Sequence, residues 1–266
     1  MRADFDLSRE VALVTGGGGI LGRQFAHALA EHGARVVLVD RDAEKVQAAA
    51  AEVDAHFPGR VMASVSDITS PSSWTQIEEQ VDSAMGPATV LVNNAAAKSP
   101  NFFEPFETFP LEDWNEVMQV NVTGAMLGCQ VIGHAMARRR RGCIVNILSV
   151  YGVVAPDQRI YEGSEYEGRA INTPAIYSTS KAALWGLTRY LATYWGDHGV
   201  RVNAISPGGV FSGQNETFVQ RYSARVPLGR MAERHEMCGA LVYLASPAAS
   251  YVTGQNIAVD GGLSVW

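Results

Sequence analysis

Short runs of consecutive apolar residues alternate along the chain with stretches whose apolar positions recur every three or four residues. Val36-Val37-Leu38-Val39 is a run of the first kind. A strand with one wet face would alternate apolar and polar side chains, whereas an unbroken apolar run suits a strand covered on both faces of a parallel sheet. The pattern predicts strands at Val11–Thr15, Arg35–Asp40, Val61–Ser64, Val90–Asn93, Cys143–Leu148, Arg201–Ile205 and Asn256–Val259. It predicts helices at Leu21–His32, Ala43–Ala55, Trp74–Met85, Leu111–Arg139, Ala175–His198 and Arg234–Leu244. Alternation of strand and helix calls for parallel pairing with right-handed crossovers. The expected fold class is therefore α/β, a doubly wound parallel sheet with helices on both faces. In such a sheet ligands sit beyond the carboxyl ends of the strands.

Composition narrows the class. The chain has 266 residues, 47% hydrophobic and 18% charged, which suits one compact domain over 1–266 and argues against disorder. A net charge of −6 gives no overall footprint for nucleic acid. The one basic cluster, Arg138 to Arg141, reads as a solvated helix C-terminus. Cys129, Cys143 and Cys238 have no metal or redox spacing, so no metal is expected. An odd count excludes a complete disulfide framework and points to a reducing compartment. Met1 to Glu10 carries Asp4, Asp6 and Glu10 without an apolar signal core, and residues 1–9 read as a tail. No apolar run approaches the ~20 residues that span a bilayer. The expectation is a cytoplasmic protein with no membrane partner.

The first predicted strand runs into Thr15-Gly16-Gly17-Gly18-Gly19-Ile20-Leu21-Gly22, and a helix follows. Glycines there let backbone N–H groups approach a pyrophosphate, and Gly22 lets the helix pack close to the strand. Such a loop alone can be only a tight turn; its place between strand and helix is what points to a dinucleotide. Asp40 ends the second strand near the spacing expected of a carboxylate that holds an adenosine ribose. It would repel a 2′-phosphate, which favours NAD over NADP, although Arg41 beside it can turn to meet a phosphate. The plain alternative for Asp40 is a strand-end turn residue.

Asn93-Asn94-Ala95-Ala96 and Tyr177-Ser178-Thr179-Ser180-Lys181 complete a set in which the chain resembles the short-chain dehydrogenase/reductase family. The likeness runs from about Val11 to Gly262 and includes Asp67, Asn121, Ser149 and Pro207-Gly208 in order. It implies a single-domain Rossmann-type fold and a homo-oligomer, most often a tetramer. It implies cofactor contacts from Gly16, Gly18, Gly19, Ile20 and Leu21 in the loop. Asp40 and Arg41 would meet the ribose, and Asp67 and Ile68 the adenine. Asn94, Ala95, Ala96, Tyr177, Lys181, Pro207, Gly208, Val210 and Ser212 would follow toward the nicotinamide, whose carboxamide would meet the backbone near Val210. Ile20 stands where the common loop has glycine, Ala96 replaces a common glycine, and Ser212 replaces a common threonine. The glycine spacing instead matches the family's extended branch, often sugar-nucleotide-modifying.

The chemistry can be read from the residues. Hydride transfer between a hydroxyl and a carbonyl needs a proton carrier at the oxygen. Free tyrosine, with a pKa near 10, is a poor base at neutral pH unless a cation stabilises the phenolate. Tyr177 and Lys181, four apart in a helical stretch, share a face, and Tyr177 is the only tyrosine with lysine at the fourth following position. Ser149, just past the fifth strand, can hydrogen-bond the same oxygen. Asn121, by the family likeness, would hold a water that relays protons to Lys181. Taken singly, each has a bland reading as packing or turn; the ordered conjunction carries the assignment.

Between Ser149 and Tyr177 lie the 27 residues Val150 to Ile176, longer than the family's usual gap. Asp157, Arg159, Tyr161, Glu162 and Arg169 make this insertion polar, and it is expected to border the substrate as a lid or to form an interface. Arg159 and Arg169 are candidates to clamp a carboxylate or phosphate. The stretches Ser149 to Pro156, Ile160 to Gly163 and Ser206 to Phe211 look like bacterial oxidoreductases of flagellin glycosylation, which implies a sugar-like small-molecule substrate. Two alternatives stay open: a sugar-nucleotide epimerase or dehydratase that retains NAD, suggested by the glycine spacing, and a non-catalytic dinucleotide sensor.

Overall fold

A computed structural model describes residues 3–266. Seven parallel strands form one sheet in the order β3-β2-β1-β4-β5-β6-β7. They are β1 (Val11–Thr15), β2 (Arg35–Asp40), β3 (Val61–Val65), β4 (Val90–Asn93), β5 (Gly142–Ile147), β6 (Val200–Pro207) and β7 (Asn256–Val259). Strand β1 is central, with Ala12 level with both Val36 of β2 and Val90 of β4. Strand order therefore reverses beside β1, and a crevice opens there at the carboxyl ends.

Consecutive strand residues feed two different cores, which is why the strand sequences are apolar throughout. Ala12, Val14, Val36 and Leu38 pack with helices α1 (Ile20–Glu31), α2 (Ala43–His56) and, farther along, Cys238–Ala245. Val11, Leu13, Val37 and Val39 pack on the opposite face with Trp74 and Ile77 of α3 (Pro71–Met85). Helix α3 starts three residues earlier than the apolar pattern predicts, because Pro71 supplies the fixed φ suited to a first helical position.

The long predicted helix is present as α4, continuous through Leu111–Met118, Gln119–Gly124, Ala125–Gly128, Cys129–Gly133 and His134–Arg139, with π turns at the second and fourth pieces. Such turns concentrate at functional sites. Beside it runs α5 (Ala175–Tyr194), which ends before a 3-10 turn at Gly196–His198 rather than continuing to His198. The sequence pattern misses α6 (Glu216–Ser223), a short polar helix that buries only Phe218 and Tyr222. A 3-10 turn at Arg234–Met237 then leads into α7 (Cys238–Ala245).

The segment expected as a tail is docked: Leu7 is fully buried, and its N–H donates to the His32 carbonyl at 2.9 Å. Residues 1–2 lie outside the described residues. The insertion is not an irregular loop. It carries 3-10 turns at Val150–Gly152 and Gln158–Tyr161, then a small hairpin pairing Glu165–Tyr166 with Arg169–Ala170. Glu167 and Gly168 both have positive φ at the hairpin turn, as a two-residue connection between twisted strands requires.

Candidate active site

The glycine loop, Asp40, Asp67, Asn94, Ser149 and Gly208 all follow or end strands at the same edge of the sheet. Gly16 has φ +64°, and a Cβ there would lie 2.8 Å from Ala95 Cα. A Cβ on Gly22 would lie 2.2 Å from the Gly16 carbonyl oxygen. Both positions thus require glycine for conformation or close approach, beyond any need for a turn. Thr15 Oγ1 accepts the N–H groups of Asn94 and Ala95, each at 3.1 Å. Asn94 Nδ2 donates to the carbonyls of Thr15 at 2.9 Å and Gly16 at 3.2 Å. Asn94 therefore buttresses the loop from behind.

Helix α1 begins at Ile20 with Gly19 as its N-cap and no side chain satisfying the first-turn N–H groups. That leaves oriented donors for an anion. The Asp40 carboxylate is fixed by two backbone donors, Gly18 N–H and Asp42 N–H, both at 3.1 Å. Arg41 is exposed and has no ion-pair partner among the described residues. Gly16, Asp40, Arg41, Asp67, Ile68 and Ala96 line one cleft. At the other end, a Cβ on Gly208 would lie 2.8 Å from Asp260 Cα. The Val210 carbonyl and the Ser212 N–H are both taken by Gln214, at 3.1 Å and 2.7 Å. A helix N-terminus without a side-chain cap, glycines that admit no Cβ, and a carboxylate fixed on the Gly18 N–H make a cradle that fits a dinucleotide.

Past β5, Ser149 caps the Val150–Gly152 turn, its Oγ accepting the Tyr151 N–H at 3.2 Å. The Ser149 hydroxyl also lies near enough to the Tyr177 phenol to act on its ionisation. Tyr177 sits in the first turn of α5, and the Phe102 ring stands edge-on to it at 6.3 Å. Burial pushes the Tyr177 phenol up, and the contact with Ser149 partly opposes this. Lys181 is 3% exposed, and its ammonium donates to the Ile147 carbonyl at 2.8 Å. Burial pulls the Lys181 amine down to about 8. Its charge is directed at the end of β5, and desolvation dominates both groups.

Asn121 lies in the first π turn of α4 and is 1% exposed. Its Oδ1 accepts the Ala97 N–H at 2.9 Å, and its Nδ2 donates to Ser180 Oγ at 3.1 Å. The side chain joins the loop after β4 to α5, so both its polar ends are already engaged. Asn146 and Thr188, which sequence reading missed, form a buried chain with Asn93. Asn93 Nδ2 donates to Asn146 Oδ1, and Asn146 Nδ2 to Thr188 Oγ1, each at 2.8 Å. The readable signal was one asparagine inside an otherwise apolar strand.

The insertion folds against α6 and the last residues as a third apolar cluster, holding Val150, Ile160, Phe218, Tyr222, Val226 and Leu263. Arg159 does not point into a pocket. It forks onto its neighbour Asp157, with both contacts at 2.8 Å, and its side chain is 82% exposed. Asp157 also pairs with Arg225, and the Arg159 hydrogen bond leads in holding its carboxyl far below the usual carboxylate range. Arg169 reaches only the Pro100 carbonyl, at 3.4 Å. The expected arginine clamp is thus internal to the protein. Three tyrosines share the cluster instead, Tyr151, Tyr161 and Tyr222, the last accepting the Gly209 N–H, and Tyr161 lies near enough to act on the ionisation of Tyr177. Tyr161 was legible as part of the polar insertion; Tyr222 lies in the helix the pattern missed.

A family model described as enoyl-(acyl carrier protein) reductase matches residues 18–264. Over 274 residues the chain is 36% identical to the galactitol 2-dehydrogenase (L-tagatose-forming) of Cereibacter sphaeroides, covering 100% of this chain and 99% of that protein. A solved gluconate 5-dehydrogenase from Burkholderia cenocepacia J2315, in complex with NADP and tartrate, superposes with TM-score 0.87 at 30% identity, covering 99% of this chain and 98% of the other. A short chain dehydrogenase from Leptospira borgpetersenii with bound NAD+ superposes with TM-score 0.82 at 32% identity, over 96% and 92%. The chain belongs to the short-chain dehydrogenase/reductase family. It is an oxidoreductase that uses a nicotinamide dinucleotide, on a single Rossmann-type sheet. No helix among the described residues is long and apolar enough to cross a membrane.

Proposed function

We propose that the protein oxidises a secondary hydroxyl of a polyol or sugar acid to the ketone, with NAD as acceptor, as a cytoplasmic homotetramer. The observation that carries this reading is the convergence of Tyr177, Ser149 and buried Lys181 at the end of β5, beside the glycine-lined cleft. The names of the relatives, a galactitol and a gluconate dehydrogenase, support the substrate class.

Bound nicotinamide supplies the acceptor for the hydride that leaves the carbinol carbon. The chain supplies the proton path. Tyr177 Oη takes the hydroxyl proton as the carbonyl forms. Ser149 Oγ holds the same substrate oxygen. Lys181 keeps a positive charge behind the phenolate and, through Ile147, fixes α5 to β5. Asn121 holds α4, the loop after β4 and α5 in register, and the second N–H of its amide is left to hold a water. Gly16, Gly18, Gly19, Ile20 and Leu21 would cradle the pyrophosphate. Asp40 would hold the ribose hydroxyls, with Asp67 and Ile68 by the adenine. Asn94, Ala95, Ala96, Pro207, Gly208, Val210 and Ser212 would border the path to the nicotinamide. The Asp40 carboxylate disfavours a 2′-phosphate, and this supports NAD.

Assembly is supported by a groove of about 670 Å³ between α4 and α5, lined by Met126, Leu187, Leu191, Trp195 and the exposed Tyr190 and Tyr194. Isologous pairing would cover that face. Light scattering at micromolar concentration is expected to give about four times the 28.6 kDa chain mass. A panel of polyols, aldonates and sugar phosphates with NAD or NADP, followed by NADH absorbance, tests the activity. Product formation without net NADH would overturn it in favour of NAD-retaining chemistry.

A further inference from the structure

The residues that touch the reacting oxygen do not explain how the site would choose a polyhydroxylated substrate. Tyr161 occupies the position from which it could. Its ring stacks on Phe218 with centroids 5.3 Å apart and planes at 26°, and Phe218 leans on Tyr222. Its hydroxyl meets Thr173 Oγ1 at 2.5 Å, and the Tyr151 phenol lies near enough for the two to act on each other's ionisation. Thr173 is itself clamped by Gln158: its N–H donates to Gln158 Oε1 at 3.2 Å, and its carbonyl accepts from Gln158 Nε2 at 2.8 Å. Thr173 precedes Tyr177 by four residues, and Tyr151 follows Ser149 by two. The hydroxyl chain Thr173–Tyr161–Tyr151 thus bridges the two segments that carry the proposed reaction centre.

We infer that this hydroxyl chain, with Tyr161 at its middle, recognises a second hydroxyl of the substrate next to the carbon being oxidised. The inference rests on the proposed polyol reading. Each hydroxyl donates once and accepts twice, so a chain of them can run in either direction and present a donor or an acceptor at its end. A substrate hydroxyl has the same dual character. A phosphate or carboxylate only accepts and would be better met by a cation. The arginines around this chain are already committed, Arg159 and Arg225 to Asp157 and Arg221 to the Arg159 and Glu162 carbonyls. Burial keeps the Tyr151 and Tyr161 phenols above their ordinary value, so both remain proton donors at working pH. An alcohol that puts a methylene in place of that hydroxyl would leave the donor at the free end of the chain without a partner, and sites built to hydrogen-bond a substrate hydroxyl discriminate strongly against such analogues.

Tyr161→Phe keeps the stacked ring and removes only the hydroxyl. The experiment compares wild type and Tyr161→Phe on the best polyol of the panel and on 2-butanol, with apo melting temperature as a fold control. Where 2-butanol turns over too slowly to read, its inhibition constant against the polyol replaces kcat/KM. The expected result is a loss of at least about tenfold in kcat/KM for the polyol, carried by KM with kcat within about threefold. The 2-butanol value stays within about twofold, so the preference for polyol collapses. Equal losses on both substrates would identify Tyr161 as an internal staple and overturn the inference, as would no loss on either. Wild type that oxidises no polyol at all overturns the functional reading itself, a result distinguishable from the others.

Discussion

The Lys181 ammonium donates to the Ile147 carbonyl at 2.8 Å, so the cation on α5 is anchored two residues before Ser149. This one bond sets the separation of the helix that carries Tyr177 from the strand that delivers Ser149. It also buries a charge, and that has a measurable consequence. The amine titrates near 8 in the folded chain, well below its ordinary value. Between about pH 8 and 10.5 the unfolded chain therefore binds more protons at this position than the folded one. Stability from this group is fully present above the unfolded value and is lost as pH falls through about 8. Relative to Lys181→Met, the wild type should gain about 2 kcal/mol on going from pH 7.5 to 9.5, since one pH unit in the window is worth about 1.4 kcal/mol. Urea melts of both forms without cofactor, at equal chain concentration, check this. A pH-independent gap would mean that the ammonium is solvated.

Tyr177→Phe is expected to fold and to bind dinucleotide while losing about 10²–10⁴-fold in kcat, the usual contribution of a general acid or base. The phenol's polar neighbour is Ser149, and the ring keeps its edge-on packing with Phe102. Cofactor binding by fluorescence and turnover by NADH absorbance separate the two effects. A variant retaining more than about a tenth of wild-type kcat would move the proton role to another group.

Asp40 has two tasks that one substitution exposes together. Its Oδ2 accepts the Gly18 N–H and its Oδ1 the Asp42 N–H, so it shapes the glycine loop as well as the end of β2. Asp40→Ala should raise KM for NAD by about tenfold or more, as lost bonds to a charged group of about 1.5–3 kcal/mol imply. It should also narrow the gap to NADP, because the repelling carboxylate is gone and Arg41 has no ion pair to leave. Equal kcat/KM for NAD and NADP in the unsubstituted protein would refute the carboxylate's role in selection.

The parts of this molecule that were legible in its sequence are those governed by short-range rules. Val36 to Val39 is apolar throughout because its residues feed two cores in turn, and that signal placed β2 with correct bounds. Tyr177, Lys181 and Ser149 were legible as an ordered set, and the structure gathers them at one strand end. The glycine loop was legible because Gly16 and Gly22 are demanded by backbone geometry. Helix α6 was not legible: eight residues with two buried side chains leave too little periodicity. The contacts of Asn121 could not be read either, because its partners Ala97 and Ser180 lie 24 and 59 residues away. The arginines failed for a related reason. Charge says that a residue can clamp an anion, but only the fold says that Asp157 reaches Arg159 first.

That pairing yields a contrast between two arginines on one carboxylate. Arg159 binds Asp157 from only two residues away, and its side chain is 82% exposed. An exposed pair of this kind contributes little, so Arg159→Ala should leave KM for substrate and the oligomer mass within about twofold of wild type. Arg225 reaches the same carboxylate from 68 residues away, and its carbonyl accepts the Trp266 indole N–H at 2.9 Å. It therefore ties the insertion to the segment after α6 and to the chain end, around the cluster that holds Tyr151, Tyr161 and Tyr222. Arg225→Ala should loosen this assembly and raise KM for substrate by about fivefold or more, with KM for NAD unchanged, because the nucleotide cleft shares none of these residues. Arg225→Lys should restore part of the affinity, since an ammonium keeps the charge but not the reach and shape of the guanidinium. Steady-state kinetics on the three variants decide the matter. If Arg159→Ala alone raised KM, the clamp would face substrate after all. If neither alanine changed it, the insertion would be held by its apolar cluster, and Asp157 would be a surface ornament of the fold.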